Sequence, residues 1–202
     1  MPKRAPYRAI VLGVSAGGVS ALKTLLATLP ADLPWPLLIV QHISADSDGS
    51  LARVLDQGCA LRVKEAEERE RIEPATVYLA PANYHLMVER DGTLALSTDA
   101  AVSYARPSID VLFESAARAF GPALIGVILT GANADGSQGL RAIKDKGGLA
   151  VVQDPADAAS PSMPLAALAA VRADYVVPLA GLGALFHSLA GAHGRKGKHS
   201  GR

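Results

Sequence analysis

The sequence predicts an α/β fold: a doubly wound, mostly parallel sheet flanked by helices, with an antiparallel hairpin near one edge. Two observations carry that prediction. Apolar runs of strand length alternate with segments whose apolar residues recur at helical spacing, the order that a parallel sheet with crossover helices requires. In the middle of the chain, two strand-length runs instead flank Asp91-Gly92, a hairpin turn signal.

Ala9 to Gly13 reads as a strand and Gly17 to Leu29 as a helix with Val19, Leu22, Leu25, Leu26 and Leu29 inward, so a βα unit opens the fold. Pro36 to Val40 then reads as a strand and Ser50 to Leu55 as a helix. Between Arg62 and Ser97, short strands are expected at Val77 to Ala80, Leu86 to Val88 and Leu94 to Leu96, together forming an antiparallel edge. Ser108, after Arg106-Pro107, is expected to cap a helix that runs to Phe120. A strand at Ala123 to Leu129, a helix at Asp135 to Lys146, a strand at Leu149 to Gln153 and a helix at Pro164 to Val171 continue the alternation. A strand at Tyr175 to Val177 and a helix near Leu182 to Leu189 close it.

Composition narrows the class. The 202 residues are 50% hydrophobic and 19% charged, which excludes a disordered or fibrous chain. A chain of this length buries roughly 70% of its unfolded surface, enough for one core without disulfides. Its single Cys59 suits a reducing cytoplasm. The formal charge of +1 hides an asymmetry: Arg195, Lys196, Lys198 and Arg202 lie in a tail read as basic and flexible over 194–202. Without those four, 16 Lys+Arg face 19 Asp+Glu, and a body near −3 argues against nucleic-acid binding. The N-terminus lacks a signal-peptide pattern. Tyr175 to Gly194 is uncharged over about a bilayer-spanning length, but Pro178, Gly181, Gly183, His187 and Ser188 interrupt it, so no membrane insertion is expected.

In open α/β sheets the reactive crevice lies beyond the carboxyl ends of the strands. After the first strand comes Gly13-Val14-Ser15-Ala16-Gly17-Gly18, with G-x-S-x-G spacing that raises a hydroxyl on a tight strand-to-helix turn. Three readings stand side by side: Ser15 as nucleophile, Ser15 as helix cap, or a glycine cradle for a phosphate. The second strand ends in Gln41-His42, where His42 is either a general base or an ordinary, partly buried histidine. The third loop is Thr130-Gly131-Ala132-Asn133-Ala134-Asp135-Gly136; Asp135 either orients an imidazole or caps the helix that follows. Backbone N–H groups of Ala16, Gly17 and Gly18, and of the Gly131, Ala132 and Asn133 turn, are candidates for an oxyanion hole. Three separate strand ends thus deliver a serine, a histidine and an aspartate to one rim. Their chain order differs from that of α/β-hydrolases. No metal is expected, since there is no H-x-x-x-H, no Cys pair and no carboxylate cluster on a crevice loop.

At these residues the sequence resembles the catalytic domain of the bacterial chemotaxis protein-glutamate methylesterases, the CheB family. The resemblance runs through Gly13 to Gly18, Gln41-His42, Val77-Tyr78-Leu79-Ala80-Pro81 with His85, and Arg106-Pro107-Ser108-Ile109-Asp110-Val111-Leu112-Phe113. It continues at Leu129-Thr130-Gly131 with Asp135-Gly136, and at Gln153-Asp154 leading to Ser162-Met163-Pro164. It implies a catalytic domain over 1–193 in which Ser15 is the nucleophile, His42 the general base and Asp135 its orienting residue, with Met163 among the substrate-binding residues. It further implies hydrolysis of glutamate γ-methyl esters on the cytoplasmic domain of methylated chemoreceptors, releasing methanol, with deamidation of receptor glutamines alongside and no cofactor. The departures from the family pattern are Ala16 in place of Thr, Ala132 in place of Met, Asn133 in place of Gly, and Ser44 in place of Pro. They bear on oxyanion geometry and substrate choice and leave the three reacting residues in place. With no receiver domain expected ahead of the first strand, control is expected either from a regulatory partner in trans or not at all. The rival expectation is a catalytically impaired module of the same fold that binds receptor peptide or a phosphate ligand. A dinucleotide-dependent reductase is disfavoured, because the first loop lacks G-x-G-x-x-G and the second strand ends in His42 rather than an acidic residue.

Overall fold

Strand β1 (Ala9–Val14) runs through the centre of the sheet with every residue buried, and its side chains alternate between two cores. Ile10, Leu12 and Val14 face the layer built by α1 (Gly18–Leu26), α2 (Ser50–Asp56) and α6 (Leu179–Gly194). Ala9 and Val11 face the layer of α3 (Ile109–Phe120), α4 (Ser137–Asp145) and α5 (Ser162–Ala170). The computed structural model describes residues 7–194.

Among the described residues the sheet has seven strands, all parallel. Its order is β3 (Arg62–Glu65), β4 (Thr76–Leu79), β2 (Leu37–Gln41), β1, β7 (Leu124–Ile128), β8 (Leu149–Gln153) and β9 (Tyr175–Val177). The chain winds outward from β1 in one direction through β2 and returns to its other side at β7. The ends of β1, β2 and β7 therefore border the point where strand order reverses, the place where such sheets open a crevice. The expected hairpin forms from β5 (His85–Val88) and β6 (Leu94–Ser97), antiparallel and closed around Gly92 at φ 84°.

Several expectations need correction. The middle segment is not an antiparallel edge of the main sheet: β4 is parallel to both its neighbours, and the hairpin is a separate two-stranded sheet packed on the α3 side. Strand β3 escapes a hydrophobicity reading because Arg-Val-Lys-Glu buries only Val63, the charged pattern of an edge strand. Val19 is 40% exposed, and Ala21 takes its place inward on α1, which ends at Leu26. Helix α4 starts at Ser137 with Gly136 as its cap residue in the left-handed region, so Asp135 stands outside it. Helix α6 is longer than expected. Among the described residues no helix is long and apolar enough to cross a membrane. The expected tail over 194–202 lies outside the described residues except for Gly194, which ends α6.

Candidate active site

The turn after β1 is held from three sides. The Ser15 N–H donates to Thr130 O (2.9 Å), Thr130 Oγ1 donates to Ala16 O (2.8 Å), and Gln41 Nε2 donates to Ser15 O (3.1 Å) and His42 O (2.9 Å). Gly17 sits at φ 77°, a left-handed conformation that lets the chain turn into α1 directly beyond Ser15. The His42 N–H donates to Val14 O (3.1 Å), which extends the β1–β2 ladder by one residue and sets the imidazole beside Ser15.

The imidazole bridges two of the sequence-derived residues. His42 Nδ1 lies 3.2 Å from Ser15 Oγ, and Nε2 lies 2.8 Å from Asp135 Oδ2. With Nε2–H donating to the carboxylate, Nδ1 carries the lone pair that accepts from the serine hydroxyl. The His42 side chain is 13% exposed and that of Asp135 is fully buried, so the contact is shielded from water while Ser15 stays partly accessible.

Asp135 does act as a helix cap, but for a helix distant in sequence. Its Oδ1 accepts from the Ser108 hydroxyl (2.9 Å) and the Asp110 N–H (3.0 Å), and Oδ2 also accepts from the Ile109 N–H (2.7 Å). These are the first free amides of α3. Ser108 is therefore the cap residue of α3 only by position, since its hydroxyl is spent on Asp135. Helix α3 returns the arrangement: Asp110 Oδ1 accepts from the Gly139 N–H (2.6 Å) in the first turn of α4. Helix α3 thus receives a carboxylate from the loop that leads into α4, and α4 receives one from α3; this pairing locks Asp135 beneath His42.

Those contacts set the charges. Burial pushes the Asp135 carboxyl up, but the bonds from His42, Ile109, Asp110 and Ser108 outweigh it and hold the group below the usual carboxylate range. Asp110 goes the other way, pushed up to about 6 by burial and by the charges of Asp135 and Glu114 against the pull of the Gly139 and Gly136 amides.

A second Ser–His pair lies nearby, of which Ser108 alone touches Asp135. The Ser108 N–H donates to His85 Nδ1 (3.1 Å) and His85 Nε2 meets Ala100 O at 3.1 Å, with both residues buried. His85 thus meets the backbone of Ser108 and not its hydroxyl.

The oxyanion candidates divide. The Gly131 N–H is taken by Ser160 O (3.0 Å) and the Gly18 N–H by Ser15 O (2.8 Å), so neither is available to a substrate. Among the described residues, the backbone N–H groups of Ala16, Gly17, Ala132 and Asn133 meet no acceptor. Asn133 Nδ2 lies 3.5 Å from His42 Nδ1, beside the serine, while its Oδ1 accepts from the Asp135 N–H. Met163 is buried beneath the Gly131 turn, with its N–H on Gly131 O (2.9 Å), and it supports that loop from below instead of facing the crevice. A cleft of about 560 Å³ opens beside His42 and Asn133 and runs past Ser44, Asn83 and Arg106. Gln41, Asp110 and Thr130 are supporting residues that sequence reasoning left without a role, and Ser108 is one that it read only as a helix cap. All four stand inside or beside the motifs already noted, but each bonds a residue distant in the chain.

A doubly wound sheet with a serine, a histidine and a buried aspartate joined at its switch point defines a serine hydrolase. The CheB methylesterase family model matches residues 10–186, and the chain belongs to that family. A Leptospira interrogans protein provisionally named protein-glutamate methylesterase/protein-glutamine glutaminase is 54% identical over 180 residues, covering 89% of this chain and 93% of that protein. The protein-glutamate methylesterase FrzG of Myxococcus xanthus is 41% identical over 89% of this chain and 54% of its own length. The crystal structure of the Thermotoga maritima CheB methylesterase catalytic domain superposes with a TM-score of 0.87 at 32% identity, over 92% of this chain and all of that one.

Proposed function

We propose that this protein hydrolyses glutamate γ-methyl esters on the cytoplasmic domain of chemoreceptors, with Ser15 as nucleophile, His42 as general base and Asp135 holding the imidazole. The observation that carries this reading is the unbroken relay from Ser15 Oγ through His42 to Asp135. His42 Nδ1 takes the hydroxyl proton as Oγ attacks the ester carbonyl, and the negative oxygen forms next to the unengaged amides of Ala16 and Gly17 and the Asn133 side chain. The imidazolium, stabilised by the Asp135 charge, then protonates the departing methoxide. A water activated by the same Nδ1 cleaves the acyl-enzyme, leaving free glutamate and Ser15. Deamidation of glutamine, which the relatives' names join to demethylation, uses the same attack with ammonia leaving. This reading implies a cytoplasmic location, where that receptor domain lies.

Ser108 does not fit the nucleophile's role. Its hydroxyl is buried and donates to Asp135, and the imidazole beside it, His85, accepts from its backbone N–H and not from the hydroxyl. Replacing Ser15 by Ala should reduce methanol release from methylated receptor by a factor on the order of 10⁴ or more. Unchanged turnover in that variant would falsify the proposal.

A further inference from the structure

We infer that Tyr104 grips the protein that carries the ester, binding the polypeptide beside the reacting glutamate rather than the glutamate itself. The inference rests on the methylesterase reading and adds to it a residue that selects a protein over a small ester.

The observations concern the segment between β6 and α3. Val102 and Ala105 form an antiparallel bridge, exchanging N–H to O contacts of 3.1 and 2.9 Å, with Ser103 at φ 52° and Tyr104 at φ 60° between them. Positive φ at both central residues is the type I′ geometry that favours Asn and Gly and disfavours a bulky side chain. Here it carries an aromatic ring that is fully exposed. Such a combination of a disfavoured conformation and an exposed apolar ring, at the border of a reactive cleft, points to a contact made outside the chain.

The tip is also anchored. Arg106 Nε and Nη2 donate to Asn83 Oδ1 (3.0 and 2.6 Å), and Nη1 donates to Thr98 O (2.7 Å) and Asp99 O (2.9 Å). The guanidinium thus ties both arms of the segment to the turn before the hairpin and presents the ring from a rigid base, which lowers the ordering cost of a contact. Ser103, Tyr104 and Arg106 line the same cleft as His42 and Asn133. At about 560 Å³ this cleft is in the size range of sites that take whole drug-sized ligands, so one esterified side chain leaves most of it unfilled. The flanking polypeptide of a protein substrate fills the remainder and reaches the ring.

The test uses Tyr104→Asn, which removes the ring while keeping a residue tolerant of positive φ, and Tyr104→Phe, which keeps the ring. Two readouts are compared: methanol release from methylated receptor, and labelling of Ser15 by a small fluorophosphonate. The expected result is a KM for receptor about tenfold higher in Tyr104→Asn, near-normal values in Tyr104→Phe, and labelling rates within twofold of the unaltered protein in both. Unchanged KM in Tyr104→Asn overturns the inference, and so does an equal loss of labelling and receptor turnover, which would mean that the ring acts through the reactive site. Failure of the methylesterase reading shows separately, as absent methanol release and absent Ser15 labelling in the unaltered protein.

Discussion

Replacing Asp135 by Asn tests both halves of what this carboxylate does. Four donors converge on its two oxygens: His42 and Ile109 on Oδ2, Ser108 and Asp110 on Oδ1. An amide must turn its NH₂ toward one pair. With NH₂ at the Oδ1 position the Ser108 hydroxyl can rotate to accept, the Asp110 N–H is orphaned, and His42 keeps its tautomer. With NH₂ at Oδ2 it opposes both the Ile109 N–H and the His42 Nε2–H, so the first arrangement costs less. The orphaned amide costs about 1–3 kcal/mol, and loss of charge weakens the remaining bonds, for a total of roughly 3 kcal/mol of stability. In the reaction, the charge that stabilised the imidazolium is gone. One unit charge at about 4 Å and an effective dielectric near 20 is worth about 4 kcal/mol, or roughly 10³ in kcat. Methanol release at saturating methylated receptor gives the rate and urea unfolding gives the stability. A kcat loss below tenfold would refute the electrostatic role of Asp135, and unchanged stability would refute its role as the cap of α3.

Three further outcomes follow from neighbouring residues. Ser108→Ala removes only the hydroxyl bond to Asp135, so it should cost about 1 kcal/mol, keep fluorophosphonate labelling at Ser15 and lower kcat less than tenfold; lost labelling would make Ser108 the nucleophile. Asp110 holds its proton in the folded state up to about pH 6, above its ordinary 3.8, so the folded protein binds more protons than the unfolded chain in that window. Stability should therefore fall as pH rises from about 4 to beyond 6, by up to roughly 3 kcal/mol, and Asp110→Asn should flatten that decline; parallel curves from urea titrations of the two proteins would contradict it. Gly139→Ala places a methyl 2.5 Å from Phe113 Cβ and 3.1 Å from the Asp110 backbone, forcing α3 and α4 apart. A loss of about 2–3 kcal/mol is expected in thermal unfolding, and a loss under about 0.5 kcal/mol would show that the helices yield freely.

The exchange of carboxylates between α3 and α4 explains how a small domain holds a buried charge under its histidine. Two helix N-termini converge on Asp135 and Asp110, and the aligned amides at each offset the cost of burial. Burial raises the proton affinity of Asp110, and the charge of Asp135 beside it adds to the effect.

The sequence by itself determined the alternation of strands and helices, the hairpin at Asp91-Gly92, and the three strand-end loops that carry Ser15, His42 and Asp135. These features are local: an apolar run, a glycine turn and a polar residue next to it are all readable within a few positions. The order of the strands and the partners of each polar group were decided only in three dimensions. Arg-Val-Lys-Glu becomes an edge strand because β4 offers it a ladder, and no apolar signal announces that. Asp135 adjoins α4 in sequence yet caps α3, because the β1–β7 pairing and the packing of α3 on α4 bring the Ile109 and Asp110 amides to it. Of the glycines that look ready to donate to an oxyanion, Gly18 has its amide committed to Ser15 O within its own turn and Gly131 to Ser160 O from a distant loop, while Ala16 and Gly17 keep theirs open. A hydrogen bond between residues far apart in the chain depends on register and helix placement, and those belong to the whole fold.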